Sequence, residues 1–261
     1  MSPSRRGVLG GGLLAVAPPA PPRARIEAAI ATITCDGFGD RDFEPAFAMI
    51  PQIGIRNVEF NCWYPRNLTP AGVAHLARRC AAAKLRPVSL QLSSFAGGGQ
   101  HEVVREVHRF LWVFEVCKRL GVRLVTATGA ARGQAGGVAG IVAVLKEIAP
   151  IAAEYGVRVA LENHLKNVLE LPEDYDAVFA AIDHPAVGMN FDMAHFVSSS
   201  VDPLAVIERF HRKIIHVDIK DVDGPGRHVT VPYGTGVVPI VPCLDALVGH
   251  GYAGFFKVEY A

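Results

Sequence analysis

The sequence predicts a parallel (β/α)8 barrel, on three observations. From Ile26 onward, eight short apolar runs alternate with longer helical patterns. Glycines stand where helical patterns give way to strand-like runs. The chain of 261 residues, half of them hydrophobic, matches one barrel of roughly 200–250 residues.

Strand-like runs fall at Ala29–Thr34, Asn57–Phe60, Pro87–Leu92, Arg123–Ala127, Arg158–Glu162, Val187–Phe191, Ile214–Val217 and Phe255–Glu259. Helical patterns separate them at Phe43–Ile53, Thr69–Lys84, His101–Leu120, Val138–Tyr155, Pro172–Ile182, Pro203–Phe210 and Val241–His250. Gly54, Gly121, Gly156 and Gly251 each sit just past a helix and before a strand, where a left-handed C-cap is wanted. No glycine-rich dinucleotide fingerprint opens the first helix, which argues against an open doubly wound sheet. After the eighth run the chain stops at Ala261, so the predicted barrel lacks its last helix. A partner subunit in a homo-oligomer, the N-terminal segment or further chain would have to cover that face, because bare strands invite aggregation.

Residues 1–25 read apart from the barrel predicted for 26–261. Ser4-Arg5-Arg6-Gly7-Val8-Leu9 is a twin-arginine pattern, followed by a weakly apolar stretch and a Pro-rich spacer from Pro18 to Pro22. It implies export of the folded protein to the periplasm; read instead as a basic tail, it leaves the protein cytoplasmic. No run approaches the roughly 18 apolar residues of a membrane span. A net charge of +1 gives no reason to expect a nucleic-acid partner, so the expected partner is a small molecule. Cys35, Cys62, Cys80, Cys117 and Cys243 are odd in number and lack paired spacing, which reads as buried thiols.

The chemistry gathers near the ends of the late strands. Leu161-Glu162-Asn163-His164, Phe191-Asp192-Met193-Ala194-His195, Ile215-His216-Val217-Asp218 and Lys257-Val258-Glu259-Tyr260 each place a carboxylate or imidazole where an apolar run stops. If those runs are parallel neighbours, Glu162, Asp192, His216 and Glu259 converge at the C-terminal mouth of the barrel, where active sites lie. Three carboxylates and an imidazole suit Mn²⁺, Mg²⁺, Co²⁺ or Zn²⁺, with Mn²⁺ preferred. Without a cation such a cluster would have to hold a proton.

These motifs, in this order, resemble the sugar phosphate isomerase/epimerase family of xylose isomerase-like TIM barrels, from roughly Ile30 to the C-terminus and most strongly from Tyr155 onward. The resemblance implies that Glu162, Asp192, His216 and Glu259 hold one divalent metal and that His195 contacts substrate. It also implies that Glu162 and Glu259 move protons as acid and base beside a substrate carbonyl, through a metal-stabilised enediolate. The expected activity is isomerisation or epimerisation of a small sugar or hydroxy-keto compound. Dehydratase or lyase chemistry on a keto-sugar begins with the same proton abstraction and is the nearest alternative; a non-catalytic sugar-binding barrel is another.

Secondary candidates surround these four. Arg227 and His228 precede Gly234-Thr235-Gly236 in the loop after strand seven, a place for polar substrate contacts, whereas solvation would explain them equally. Lys220 and Asp221 are close enough to strand seven to join the site or to form a surface pair. Glu59 ends strand two, and Asn61, Trp63 and Tyr64 follow, with Trp63 placed to cover a sugar-like substrate or to pack the rim. Gly97-Gly98-Gly99 reads as a flexible loop without a phosphate-loop lysine. Thr235 and Pro239 depart from the acidic residues usual around this Gly-x-Gly turn. Strands three and four lack the histidines of the related endonuclease IV type, which argues against DNA repair.

Overall fold

The computed structural model describes residues 26–37, 42–134 and 136–261. The predicted export signal therefore lies outside the described residues. Eight strands form a closed barrel: β1 (Glu27–Ala31), β2 (Asn57–Asn61), β3 (Arg86–Phe95), β4 (Leu124–Gly129), β5 (Arg158–Glu162), β6 (Val187–Asp192), β7 (Ile214–Ile219) and β8 (Phe255–Val258). All pair in parallel, and β8 closes on β1 through Ala29↔Lys257 and Ile30↔Val258.

The outer ring is helical: α1 (Ile33–Asp36), α2 (Glu44–Met49), α3 (Pro70–Ala83), α4 (Gln100–Leu120), α5 (Gly137–Glu154), α6 (Pro172–Ala181), α7 (Met193–Ser198), α8 (Pro203–Phe210) and α9 (Ile240–Gly249). Local chemistry sets their ends. Thr69 caps α3 by accepting from the Gly72 amide, and Asp202 caps α8 by accepting from Leu204, each followed by a proline whose missing N–H costs nothing there. Gly54, Gly121, Gly156 and Gly251 all have positive φ, as the cap reading requires.

Two boundaries and one loop differ from the sequence expectation in ways the local contacts explain. The first strand ends at Ala31 rather than Thr34, because Asn61 Oδ1 accepts from both the Thr32 hydroxyl and the Ile33 amide and draws the chain into α1. The expected helix over 43–53 stops at Met49 and continues as a 3-10 turn, Ile50–Ile53, since Pro51 cannot donate an α-helical hydrogen bond. Gly97 packs backbone to backbone on Gly140 of α5, where a Cβ would meet the Gly140 carbonyl oxygen at 2.4 Å, so the Gly97-Gly98-Gly99 segment is anchored.

Alternation along the strands divides two environments. Outward residues such as Val58, Phe60, Leu90, Val125, Val159, Leu161, Met189, Phe191 and Val217 join one buried core with the helices. Each such side chain contributes about 1.5–3 kcal/mol by burial. The inward residues are unusually polar: Glu59, Gln91, Thr126, Glu162, Asn190, Asp192, His216, Asp218 and Lys257 are all buried.

Midway up the interior, Lys257 is the hub. Its Nζ bonds Glu59 Oε1 and lies 3.0 Å from Asp218 Oδ1 and 3.2 Å from Glu259 Oε2. His216 Nε2 lies 3.3 Å from Glu59 Oε2. Burial alone would raise the Glu59 carboxyl, but the Lys257 ammonium and then His216 hold it down at about 2. A carboxyl depressed from its usual 4.5 contributes stability that is fully present above pH 4.5 and is lost as pH falls through the folded value. Wild type should therefore exceed Glu59→Gln by about 3 kcal/mol at pH 7, with the gap narrowing from pH 4.5 toward pH 2, as read by urea midpoints across that range.

Candidate metal centre

Above this hub, the ends of β5 to β8 deliver the predicted carboxylates. Glu162 Oε2 accepts from Gln91 Nε2 of β3 at 2.7 Å, which fixes its rotamer. Asn163, the next residue, clamps β5 to β6: its side chain donates to the Asp192 carbonyl and accepts from the Asp192 amide, both at 2.9 Å. Asp192 ends β6 and caps α7, its Oδ1 accepting from the Ala194 and His195 amides while Oδ2 faces inward toward Lys220. The capping and ligand readings of Asp192 are thus served by different oxygens.

Two groups of donor atoms lie within 4.8 Å of one another: Glu162, Asp218 and Glu259, and Glu162, Asp192 and His195. His216 belongs to neither group. It points to the same side as Asp218 but two residues, roughly 6.6 Å, deeper, where it faces Glu59. Asp218 occupies the place the sequence assigned to His216, and Asn190 Nδ2 orients it by donating to Oδ2 at 2.9 Å. Of the two readings the sequence offered for Lys220, the structure places it in the site rather than in a surface pair: its Nζ donates to Glu259 Oε1 at 2.7 Å and lies 3.4 Å from Asp192 Oδ2.

The donor set fits a divalent cation. Asp192 Oδ2, Asp218 Oδ1 and Glu259 Oε2 are buried oxygens whose nearest cationic partners are the ammoniums of Lys220 and Lys257, at 3.0–3.4 Å. A hard cation would satisfy that oxygen-rich group.

The two glutamates differ in charge state. Burial, then the neighbouring Glu259 and Asp192 charges, push Glu162 up to about 8. Burial would raise Glu259 too, but Lys220 and Lys257 overcome it and hold Glu259 ionised, well below the usual range. Asp218 is raised by burial and by the Glu259, Glu162 and Glu59 charges, against the pull of Lys257.

A cavity of about 480 Å³ opens above these groups, walled by Trp63, Gln91, Glu162, His164, His195, Lys220, His228 and Glu259. The structure thus brings the predicted Trp63, His195 and His228 to one wall system. The imidazole of His195 stacks between His164 and His228, at 3.9 Å between centroids on each side. His195 Nδ1 accepts from the Leu165 amide at 3.3 Å, which leaves Nε2 as the protonated nitrogen and a donor. Burial and then Lys220 keep His195 neutral well below its usual pKa, and hold His228 down to about 4. Arg227 is not brought to the cavity: it is exposed and pairs with Asp223 four residues earlier on the same loop.

That loop is hung from Asp221. Its Oδ2 accepts from the Gly234 and Gly236 amides, and its Oδ1 from those of Val222 and Val238. A Cβ at Gly236 would lie 2.2 Å from Asp221 Oδ1, so the Gly-x-Gly turn is required by close approach to a carboxylate.

With this geometry in place, likeness to known proteins can be weighed. A family model described as xylose isomerase-like TIM barrel matches residues 47–261. The chain belongs to the xylose isomerase-like TIM barrel family. Within reach of the family, the chain is 25% identical over 259 residues to the rhizopine catabolism protein MocC of Rhizobium meliloti, covering 85% of this chain and 75% of that protein. It is 28% identical over 132 residues to an inosose dehydratase of Lactiplantibacillus plantarum, a match that spans 44% of each. A crystal structure of IolI with a bound zinc atom superposes with a TM-score of 0.77 at 22% identity, covering 90% of this chain and 89% of that one, a likeness of fold. No helix among the described residues is long and apolar enough to cross a membrane.

Because Asp221 satisfies four amides, Asp221→Ala should lower stability by about 2–3 kcal/mol, whereas Asp221→Asn, which keeps one accepting oxygen, should lose less; thermal and urea unfolding of the two variants check this order.

Proposed function

We propose that the chain is a divalent-metal-dependent isomerase or epimerase of a small polyhydroxylated carbonyl compound. The observation that carries the reading is the pair of glutamates delivered from β5 and β8 to one cavity floor, Glu162 oriented by Gln91 and Glu259 by Lys220, with surroundings that push Glu162 up and Glu259 down from the usual carboxylate range. Two carboxyls whose surroundings push their pKa values apart are suited to opposite roles in proton transfer.

Glu162, Asp218 and Glu259 would hold the ion, with Asp192 Oδ2 beside them. Mn²⁺ is the ion proposed among Mn²⁺, Mg²⁺, Co²⁺ and Zn²⁺, on the oxygen-rich donor set. The zinc atom in the IolI structure supports a divalent ion on this fold. When bound, such an ion supplies Lewis acidity to a substrate carbonyl.

The protein's own groups do the rest. One of the two glutamates accepts the proton from the carbon beside the carbonyl and the other returns one, the face of return fixing the stereochemical outcome. His195 Nε2–H donates to a substrate oxygen from the stacked imidazole wall, and His228 extends that wall. Trp63 offers an apolar face to ring carbons and keeps water from the carbanionic carbon.

Dehydration is the second reading, favoured by the resemblance to inosose dehydratase. It shares the abstraction step and differs in loss of a β-hydroxyl, for which Glu162 as acid would supply the proton.

Incubation with Mn²⁺ in D₂O against ketoses, keto-cyclitols and 3-keto-glycosides, followed by NMR after metal removal, separates the readings. Deuterium at the α-carbon with an isomeric product supports isomerase or epimerase action, and an unsaturated product supports dehydration. Glu259→Gln should reduce exchange by at least 10³-fold; wild-type rates in that variant, or no exchange by the metal-loaded wild type with any panel member, would count against the proposal.

A further inference from the structure

Two lysines reach into the carboxylate cluster, and their surroundings differ. Lys257 is fully buried at mid-barrel against Glu59, Asp218 and Glu259 and does not line the cavity. Lys220 stands one level higher, just past the end of β7, and lines the 480 Å³ cavity. Its ammonium spans two strands' carboxylates, at 2.7 Å from Glu259 Oε1 and 3.4 Å from Asp192 Oδ2.

Those are two of the carboxylates that the metal reading needs. An ammonium has three donors and no acceptor, so while it bonds Glu259 it occupies lone pairs that a cation would use, and its charge repels a divalent ion placed between Glu162, Asp218 and Glu259. Lys257 cannot relieve the conflict by moving, whereas Lys220 has the cavity beside it.

We propose that Lys220 is a built-in competitor for the metal: its ammonium clamps Glu259 toward Asp192, and metal uptake requires it to release Glu259 and turn into the cavity, where it meets a substrate oxygen. The inference rests on the metal reading of the site. It makes Lys220 a positioning residue that sets how tightly the ion is held, and it couples metal uptake to the filling of the cavity. A substrate oxygen that accepts from the displaced ammonium favours the metal-loaded arrangement, and by linkage the metal favours substrate.

The test uses the full chain, stripped of metal with a chelator and titrated with Mn²⁺ against a fluorescent chelating indicator. Lys220→Met and Lys220→Gln should each bind Mn²⁺ at least tenfold more tightly than wild type, and Lys220→Arg, which retains the charge, should stay within about threefold of it. Circular dichroism and thermal melts of each variant confirm that the barrel is folded, and the two neutral variants guard against failure of either one. Unchanged or weaker binding in the folded neutral variants, with measurable binding by wild type, overturns the role of Lys220 and leaves the metal reading standing. Absence of Mn²⁺ binding in every form overturns the metal reading and this inference with it.

Discussion

The constraint on which the structure depends is the placement of five buried carboxylates, Glu59, Glu162, Asp192, Asp218 and Glu259, inside one barrel. In a low-dielectric interior, unneutralised carboxylates at such spacing cannot all be ionised. The chain resolves this with three devices. Lys257 and Lys220 each bridge carboxylates from different strands, Glu162 and Asp218 are pushed upward by burial and neighbouring charge so that protonation costs them less, and hydrogen bonds from Gln91 and Asn190 orient what remains. The same arrangement that makes the interior tolerable also leaves oriented oxygens at the mouth.

Depth along the barrel axis then separates stability from chemistry. At mid-barrel, Glu59, Lys257 and His216 line no cavity, and their contacts tie β2 to β7 and β8 across the interior. One level up, Glu162, Asp218 and Glu259 share the floor of a cavity walled by three imidazoles and Trp63. A two-residue step along β7 therefore converts a structural side chain, His216, into a candidate ligand, Asp218. Strand ends carry function in this barrel because the helix caps there, Asp192 above all, hold carboxylates by one oxygen and present the other.

The barrel was legible because apolar runs, helical periodicity and the C-cap glycines all repeat with the same spacing, each reinforcing the others. Glu162, Asp192 and Glu259 were legible because each terminates an apolar run. His216 was misplaced because a strand's sequence tells which face a residue takes but not its depth; choosing between His216 and Asp218 needs the shear of β7 against β6, where the register shifts between Met189 and Asn190. Lys257 escaped notice, and Lys220 was left between the site and a surface pair, because lysine ordinarily marks a solvated surface, although Lys257 stands two residues before Glu259 and so shares its face. A lysine in phase with a strand's inward carboxylate is the signal that would have found it. Arg227 failed for the opposite reason, its nearest charge, Asp223, being supplied by its own loop.

The most direct measurement is anomalous diffraction from crystals of the chain soaked in Mn²⁺. The account predicts one strong peak among Glu162, Asp218 and Glu259, with carboxylate oxygens at about 2.0–2.3 Å and His216 still against Glu59. A peak ligated by His216, or none at an Mn²⁺ concentration that saturates the protein in solution, would contradict it.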